Sequence, residues 1–117
     1  MKNYVSLKNN NEFRMVYAKG RVYSNKFLVM YILENGTDIK RLGISVSKKV
    51  GNSIVRHRLT RLIRETFRLN KDKLIEGIDI VVVAKVNLKD KDYYETESAF
   101  MHLSKLHRII KRDDNND

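Results

Sequence analysis

No cysteine occurs among the 117 residues, and proline and tryptophan are missing too. Without cysteine there is no disulfide framework and no thiolate metal site. No apolar run approaches the roughly 18 residues needed to span a bilayer. The start, Met1 to Ser6, lacks the apolar stretch of a secretory signal. A cytoplasmic protein with no membrane partner is therefore expected. Catalytic signatures are equally scarce, with neither GxSxG nor HExxH present. His102 and His107, five positions apart, would point about 140° from each other on a helix and could not share a metal. With His57 they read as ordinary surface or boundary histidines, and Asp90, Asp92, Glu95 and Glu97 as helix-entry charges. Gly43 is followed five positions later by Lys48 where a phosphate-binding P-loop needs a second glycine, which argues against nucleotide hydrolysis.

Positive charge is abundant. Lys and Arg total 24 against 14 Asp and Glu, a formal net of +10, and the pI is near 9.9. Such an excess attracts polyanions. Its placement is uneven. Lys48, Lys49, Arg56, Arg58, Arg61, Arg64 and Arg68 share one segment with a single acid, Glu65, for a local net of +6. Five of these seven are arginine, whose planar fork matches phosphate and stacks on bases, so nucleic acid is favoured over mere solubility. Apolar residues at 42% suffice for a packed core. The expectation is one nucleic-acid-binding domain over residues 1–112, followed by a short acidic tail, 113–117.

Along the chain, Asn9 and Glu12 form a capping-box pattern for a helix from Asn10 to Lys19 that Gly20 can end. Arg21 to Ser24 and Phe27 to Leu33 follow as strands. The second is apolar on both faces, with Phe27, Val29, Tyr31 and Leu33 on one side and Leu28, Met30 and Ile32 on the other. The turn Glu34-Asn35-Gly36 before the strand Arg41 to Val46 implies an antiparallel hairpin between those two strands. Asn52 caps a long helix, Ser53 to about Leu69. Ile78 to Ala84 is a strand buried on both faces, and a last helix runs from Tyr93 to Lys111 with Ala99, Leu103, Leu106 and Ile110 inward. The order α-β-β-β-α-β-α makes an α+β sandwich.

On the long helix, Val55, Leu59, Leu62 and Thr66 fall within about 60° and are expected to face the sheet. His57, Arg61, Arg64 and Arg68 fall on nearly the opposite side, with Arg58 flanking. A solvated helix would mix acids and bases in i, i+4 pairs; here the arginines lack partners, and phosphate is the missing counter-charge. Ser45, Ser47, Lys48, Lys49 and Asn52 surround the helix N-terminus, where free N–H groups favour an anion. Phe13, Tyr17 and Tyr31 form a second constellation. Aromatics at this spacing are usually core, but rings flanked by Lys and Arg also stack single-stranded RNA.

The stretch RLGISVSKKVGNSIVRHRLTRLIRE, Arg41 to Glu65, closely resembles the signature region of the bacterial ribonuclease P protein family. A hydrophobic strand leads into S-x-S-K-K-x-G-N and then an arginine-rich helix. Phe13, Val16, Tyr17, Gly20, Asn25 and Tyr31 also fall at the family's spacing, and the likeness extends from about Leu7 to Ala84. The resemblance implies a ribosomal-protein-like fold with a left-handed β-α-β crossover, opposite to the usual hand.

It also implies that Lys48, Lys49, Asn52, Arg56, Arg58 and Arg61 contact a catalytic RNA, ribonuclease P RNA. The helical face adds Arg64, Arg68 and His57 to that set. Phe13, Tyr17 and Tyr31 would line a cleft for the single-stranded 5′ leader of precursor tRNA. Catalysis and its Mg²⁺ would belong to the RNA, with no catalytic or metal residue in the protein. Two positions depart from the family pattern: His57 stands for an asparagine and Thr60 for a lysine. Competing readings are a general or ribosomal RNA-binding protein and a protein-only nuclease. A DNA reader is a further alternative, which the lack of an evident dimerisation element disfavours.

Overall fold

A computed structural model describes residues 4–112; the acidic tail, 113–117, lies outside the described residues. Its elements are β1 (Val5–Ser6), α1 (Asn10–Lys19), β2 (Arg21–Ser24), β3 (Leu28–Glu34), β4 (Arg41–Ser45), α2 (Ser53–Asn70), β5 (Ile78–Ala84) and α3 (Tyr93–Leu106), with short 3-10 turns after α2 and β5. The strands make one mixed sheet in the order β1-β4-β5-β3-β2. The expected α+β order is present. The two-residue β1, which pairs parallel with β4, is an addition.

The capping boxes explain two helix starts. Asn9 Oδ1 accepts from the Glu12 N–H at 2.9 Å and Glu12 Oε1 accepts from the Asn9 N–H at 3.3 Å; Asp92 and Glu95 repeat the arrangement at α3. Each satisfies N–H groups that the helix cannot.

The expected hairpin between β3 and β4 does not form. β5 lies between them, antiparallel to β3 and parallel to β4. The reason is burial: six of the seven β5 residues are buried, so it takes the centre, whereas β4 carries Arg41, Gly43 and Ser45 on one side. Crossing two inter-strand spacings, roughly 10 Å, needs the whole 35–40 loop. Asn35 holds that loop, its side chain bonding the Ile39 carbonyl, the Thr37 N–H and Asp79. Gly77, at φ +76°, lies where a Cβ would come 2.5 Å from the Thr37 oxygen.

The last helix also ends sooner than expected, at Leu106 rather than Lys111. Arg108 takes a left-handed φ of 59°, which stops the helix and turns Ile109 into the core. Residues 109–111 then run beside 73–75, with the Ile75 N–H on the Ile109 oxygen at 2.8 Å and the Lys111 N–H on the Lys73 oxygen at 2.7 Å. Of the expected inward stripe, Ala99 and Leu103 are buried with Phe100, Leu106 is exposed, and Ile110 is not helical.

The two faces of the sheet are covered unequally. On one, Leu28, Met30, Ile32, Ile78, Ile80 and Val82 meet Leu59, Ile63 and Phe67 of α2 and Phe100 and Leu103 of α3 in the main core. On the other, α1 brings Val16 against Val81, with Phe13, Tyr31, Leu33 and Val83 around it. The inward stripe of α2 is rotated from the expected one: Leu59 and Thr66 are buried as foreseen, Val55 and Leu62 only partly, and Ile63, Phe67 and Asn70 complete the contact. His107 is buried rather than at the boundary; its Nε2 is 2.8 Å from the Met30 carbonyl and Tyr23 lies edge-on at 4.8 Å.

Candidate RNA interface

The turn before α2 is anchored by Val50, which is buried while Lys48 and Lys49 stay exposed. The Val50 N–H closes the turn on the Ser47 oxygen at 3.0 Å. A Cβ at Gly51 would fall 2.8 Å from the Val55 side chain, so glycine lets the turn close onto the helix. Asn52 Oδ1 accepts from the Val55 N–H at 3.0 Å. That oxygen serves the cap, which leaves the Nδ2 donor for a ligand.

Along α2, His57, Arg61 and Arg64 are exposed and have no hydrogen bond or ion pair among the described residues. Arg68 differs: its guanidinium holds Glu65 through Nε at 2.5 Å and Nη2 at 3.0 Å, and that bond keeps the Glu65 carboxyl below its ordinary range. Arg58 is tied as well, donating to the carbonyls of Lys89 at 3.1 Å and Lys91 at 2.7 Å. Arg56 does not join this face. It lies about 140° round the helix from Arg61, partly buried, with Nε enclosed and without a partner. Thr60 turns its hydroxyl back onto the Arg56 carbonyl at 2.9 Å. A groove of about 680 Å³ runs over the arginine face, with Tyr4 and Leu62 as its apolar lining among Arg58, Arg61, Arg64 and Arg68.

The aromatic constellation is brought together. Tyr17 meets Tyr31 edge-on at 4.9 Å and Phe13 at 6.3 Å. Phe13 fits because β4 has no side chain beneath it: a Cβ at Gly43 would lie 2.6 Å from the ring. The helix is held there by Arg41, which forks onto the buried Asp79 at 2.7 and 2.6 Å and reaches Glu12 at 3.3 Å. Beyond α1 the same sheet face is left partly open at Val29, Val83 and Ser45, with Val22 and Ser24 exposed at its edge. Tyr17 is 40% exposed, so its side chain is within reach of a ligand.

A family model described as Ribonuclease P matches residues 1–108. The ribonuclease P protein component of Lachnoclostridium phytofermentans is 58% identical over 105 residues, 90% of each chain. The chain belongs to the ribonuclease P protein family. The component from Natranaerobius thermophilus is 38% identical over 113 residues, 97% of this chain and 98% of its own. The solved ribonuclease P protein of Staphylococcus aureus matches with a TM-score of 0.84 at 35% identity, covering 94% of this chain and 100% of its own. That of Thermotoga maritima gives 0.80 at 32%, over 91% and 98%. The family supplies the protein component of an endoribonuclease of tRNA processing.

For a ribonuclease P protein the arrangement offers binding chemistry. Among the described residues no three or more His, Asp or Glu gather where they could hold a metal, and no helix is long and apolar enough to cross a membrane. Four carboxylates have other partners: Glu12 and Asp79 hold Arg41, Glu76 holds Lys40 and Lys111, and Glu97 bonds Asn70 and Tyr93. Sequence reasoning missed the open sheet floor and the fixed loop at Lys89–Lys91. Alternation along β3 and β5 could have indicated the floor. The loop had no signal, since a carbonyl acceptor belongs to every residue.

Proposed function

We propose that this chain binds ribonuclease P RNA through the turn at Lys48 and Lys49 and the outer face of α2, and holds the 5′ leader of precursor tRNA at Phe13, Tyr17 and Tyr31. The observation that carries this reading is the contrast in charge pairing. Among the described residues, seven of the eleven acids are bonded to the protein's own bases or backbone, while Lys48, Lys49, Arg61 and Arg64 stand exposed with no counter-charge and His57 beside them has no partner. Phosphate supplies one, releasing counterions as it binds. The half-open rings suit a single strand, where each stacked base contributes about 1–3 kcal/mol without demanding a sequence.

Hydrolysis of the phosphodiester bond, leaving a mature 5′ phosphate, is assigned to the RNA with its own Mg²⁺. The protein's part is to neutralise phosphates, so that the complex works at lower Mg²⁺, and to hold the leader. The test is reconstitution: cleavage of precursor tRNA by ribonuclease P RNA at low Mg²⁺, with wild type or with Arg61→Ala plus Arg64→Ala. Strong stimulation by wild type and its loss in the double variant is the expected result. The variant should also lower the salt dependence of RNA binding by about two phosphate contacts. Cleavage by the protein alone would establish the nuclease reading instead. No stimulation by wild type would leave a general RNA-binding protein.

A further inference from the structure

Arg58 lies on the flank of the RNA face assigned above, yet its guanidinium is directed at the protein. Both terminal nitrogens are engaged, with carbonyls 31 and 33 residues further along the chain. The segment they fix lies between β5 and α3. Its opposite side is tied down too: Asn87 Nδ2 donates to the Lys26 oxygen at 3.4 Å, and the Lys91 ammonium sits 5.4 Å from the Phe27 ring centroid and 3.8 Å from Glu95. Lys89 and Asp90 are the exceptions. Both side chains are exposed and have no ion pair or hydrogen bond. Of the two only Lys89 has the charge to meet a phosphate, and its carbonyl is bonded by Arg58, one helical turn from Arg61.

We infer that Arg58 is a positioning residue, and that the loop Lys89–Lys91 which it fixes is a second wall of the RNA interface, with Lys89 taking a backbone phosphate. This rests on the reading of α2 as an RNA-binding face. A guanidinium fork can hold two carbonyls in a set geometry, whereas the ammonium of lysine is a point charge on a flexible stem. Charge alone therefore does not replace Arg58.

The experiment is binding of ribonuclease P RNA by the full chain across a salt series, for wild type, Lys89→Gln, Arg58→Lys and the double variant. Lys89→Gln should lower the slope of log K against log salt by about 0.9, one phosphate contact. Arg58→Lys should lower it by a similar amount although the charge is kept, and the double variant should lower it no further. An unchanged slope for Lys89→Gln overturns the inference. So does an unchanged slope for Arg58→Lys with the full Lys89 effect still present in the double variant, which would show that the fork of Arg58 is not what positions Lys89. Arg61→Gln plus Arg64→Gln run in parallel separates the two failures: if that pair leaves binding unchanged, α2 is not the interface and this inference falls with it.

Discussion

The two faces of the sheet are built from the same strands and covered differently. Towards α2 and α3, Met30, Ile32, Ile80 and Val82 are sealed beneath Leu59, Ile63, Phe67 and Phe100. Towards α1, Val16 and Val81 are sealed but Tyr31, Val29 and Val83 are only partly covered, because one ten-residue helix cannot roof a five-stranded sheet. Alternation along each strand sends neighbouring residues to opposite fates. Met30 is sealed in the core, and Tyr31 beside it is the residue proposed to bind. One backbone carries both, and the covered face holds the open one in shape.

That division can be broken from either side. Phe67→Ala should cost most, about 3–5 kcal/mol of stability, since the ring is fully buried against Tyr4 and the core; denaturant unfolding measures it. Gly43→Ala should cost about 1–3 kcal/mol through overpacking and also weaken leader binding, because the new methyl displaces Phe13; unfolding and titration with a leader-bearing substrate read the two effects. Tyr17→Ala should change stability by less than about 1 kcal/mol while lowering affinity for a leader-bearing substrate by about 1–3 kcal/mol, with affinity for the mature tRNA unchanged.

The smallest effect is one of pH, and it belongs to the covered face. His107 is held below the ordinary histidine range by burial, opposed by its bond to the Met30 carbonyl, with Arg21 nearby adding to the depression. A carbonyl can only accept, so Nε2 carries the hydrogen and Nδ1 is left enclosed without a partner. Because the folded pKa lies below the unfolded value, the unfolded state binds more protons. Stability therefore falls as pH drops below about 6.5 and levels off beneath the folded pKa. Melting temperature between pH 7.5 and 5 should show this decline, and His107→Asn should flatten it. The carboxylates held low by their partners, Glu12, Glu76 and Glu97, act in a separate window below pH 4.5.

Local chemistry was legible wherever the cause was local. Asn9 with Glu12, Asn52 at the start of α2 and the β-branched run of β5 each carry their reason within a few residues. Pairing was not, because the partner of β3 lies more than forty residues on, and the turn at Asn35 looks like a hairpin turn until β5 is seen to compete for the place. The end of α3 was misread for a related reason: helical spacing continues to Ile110, and only the demand of the core for Ile109 breaks it at Arg108. Within the site, Arg61 and Arg64 could be placed by helical period alone. Arg58 and Arg56 could not, since one is claimed by a distant loop and the other lies within about 20° of the fully buried Ile63.

The central place of β5 also has a meaning in time. A ribosome releases the chain from its N-terminus, so β2, β3 and β4 emerge before residues 78–84 exist. Until then β3 and β4 have no neighbour in common, and each offers an apolar edge to whatever is near. The strand that arrives late is the one that joins the two halves, so the step that completes the sheet is also the one that removes its most aggregation-prone surfaces.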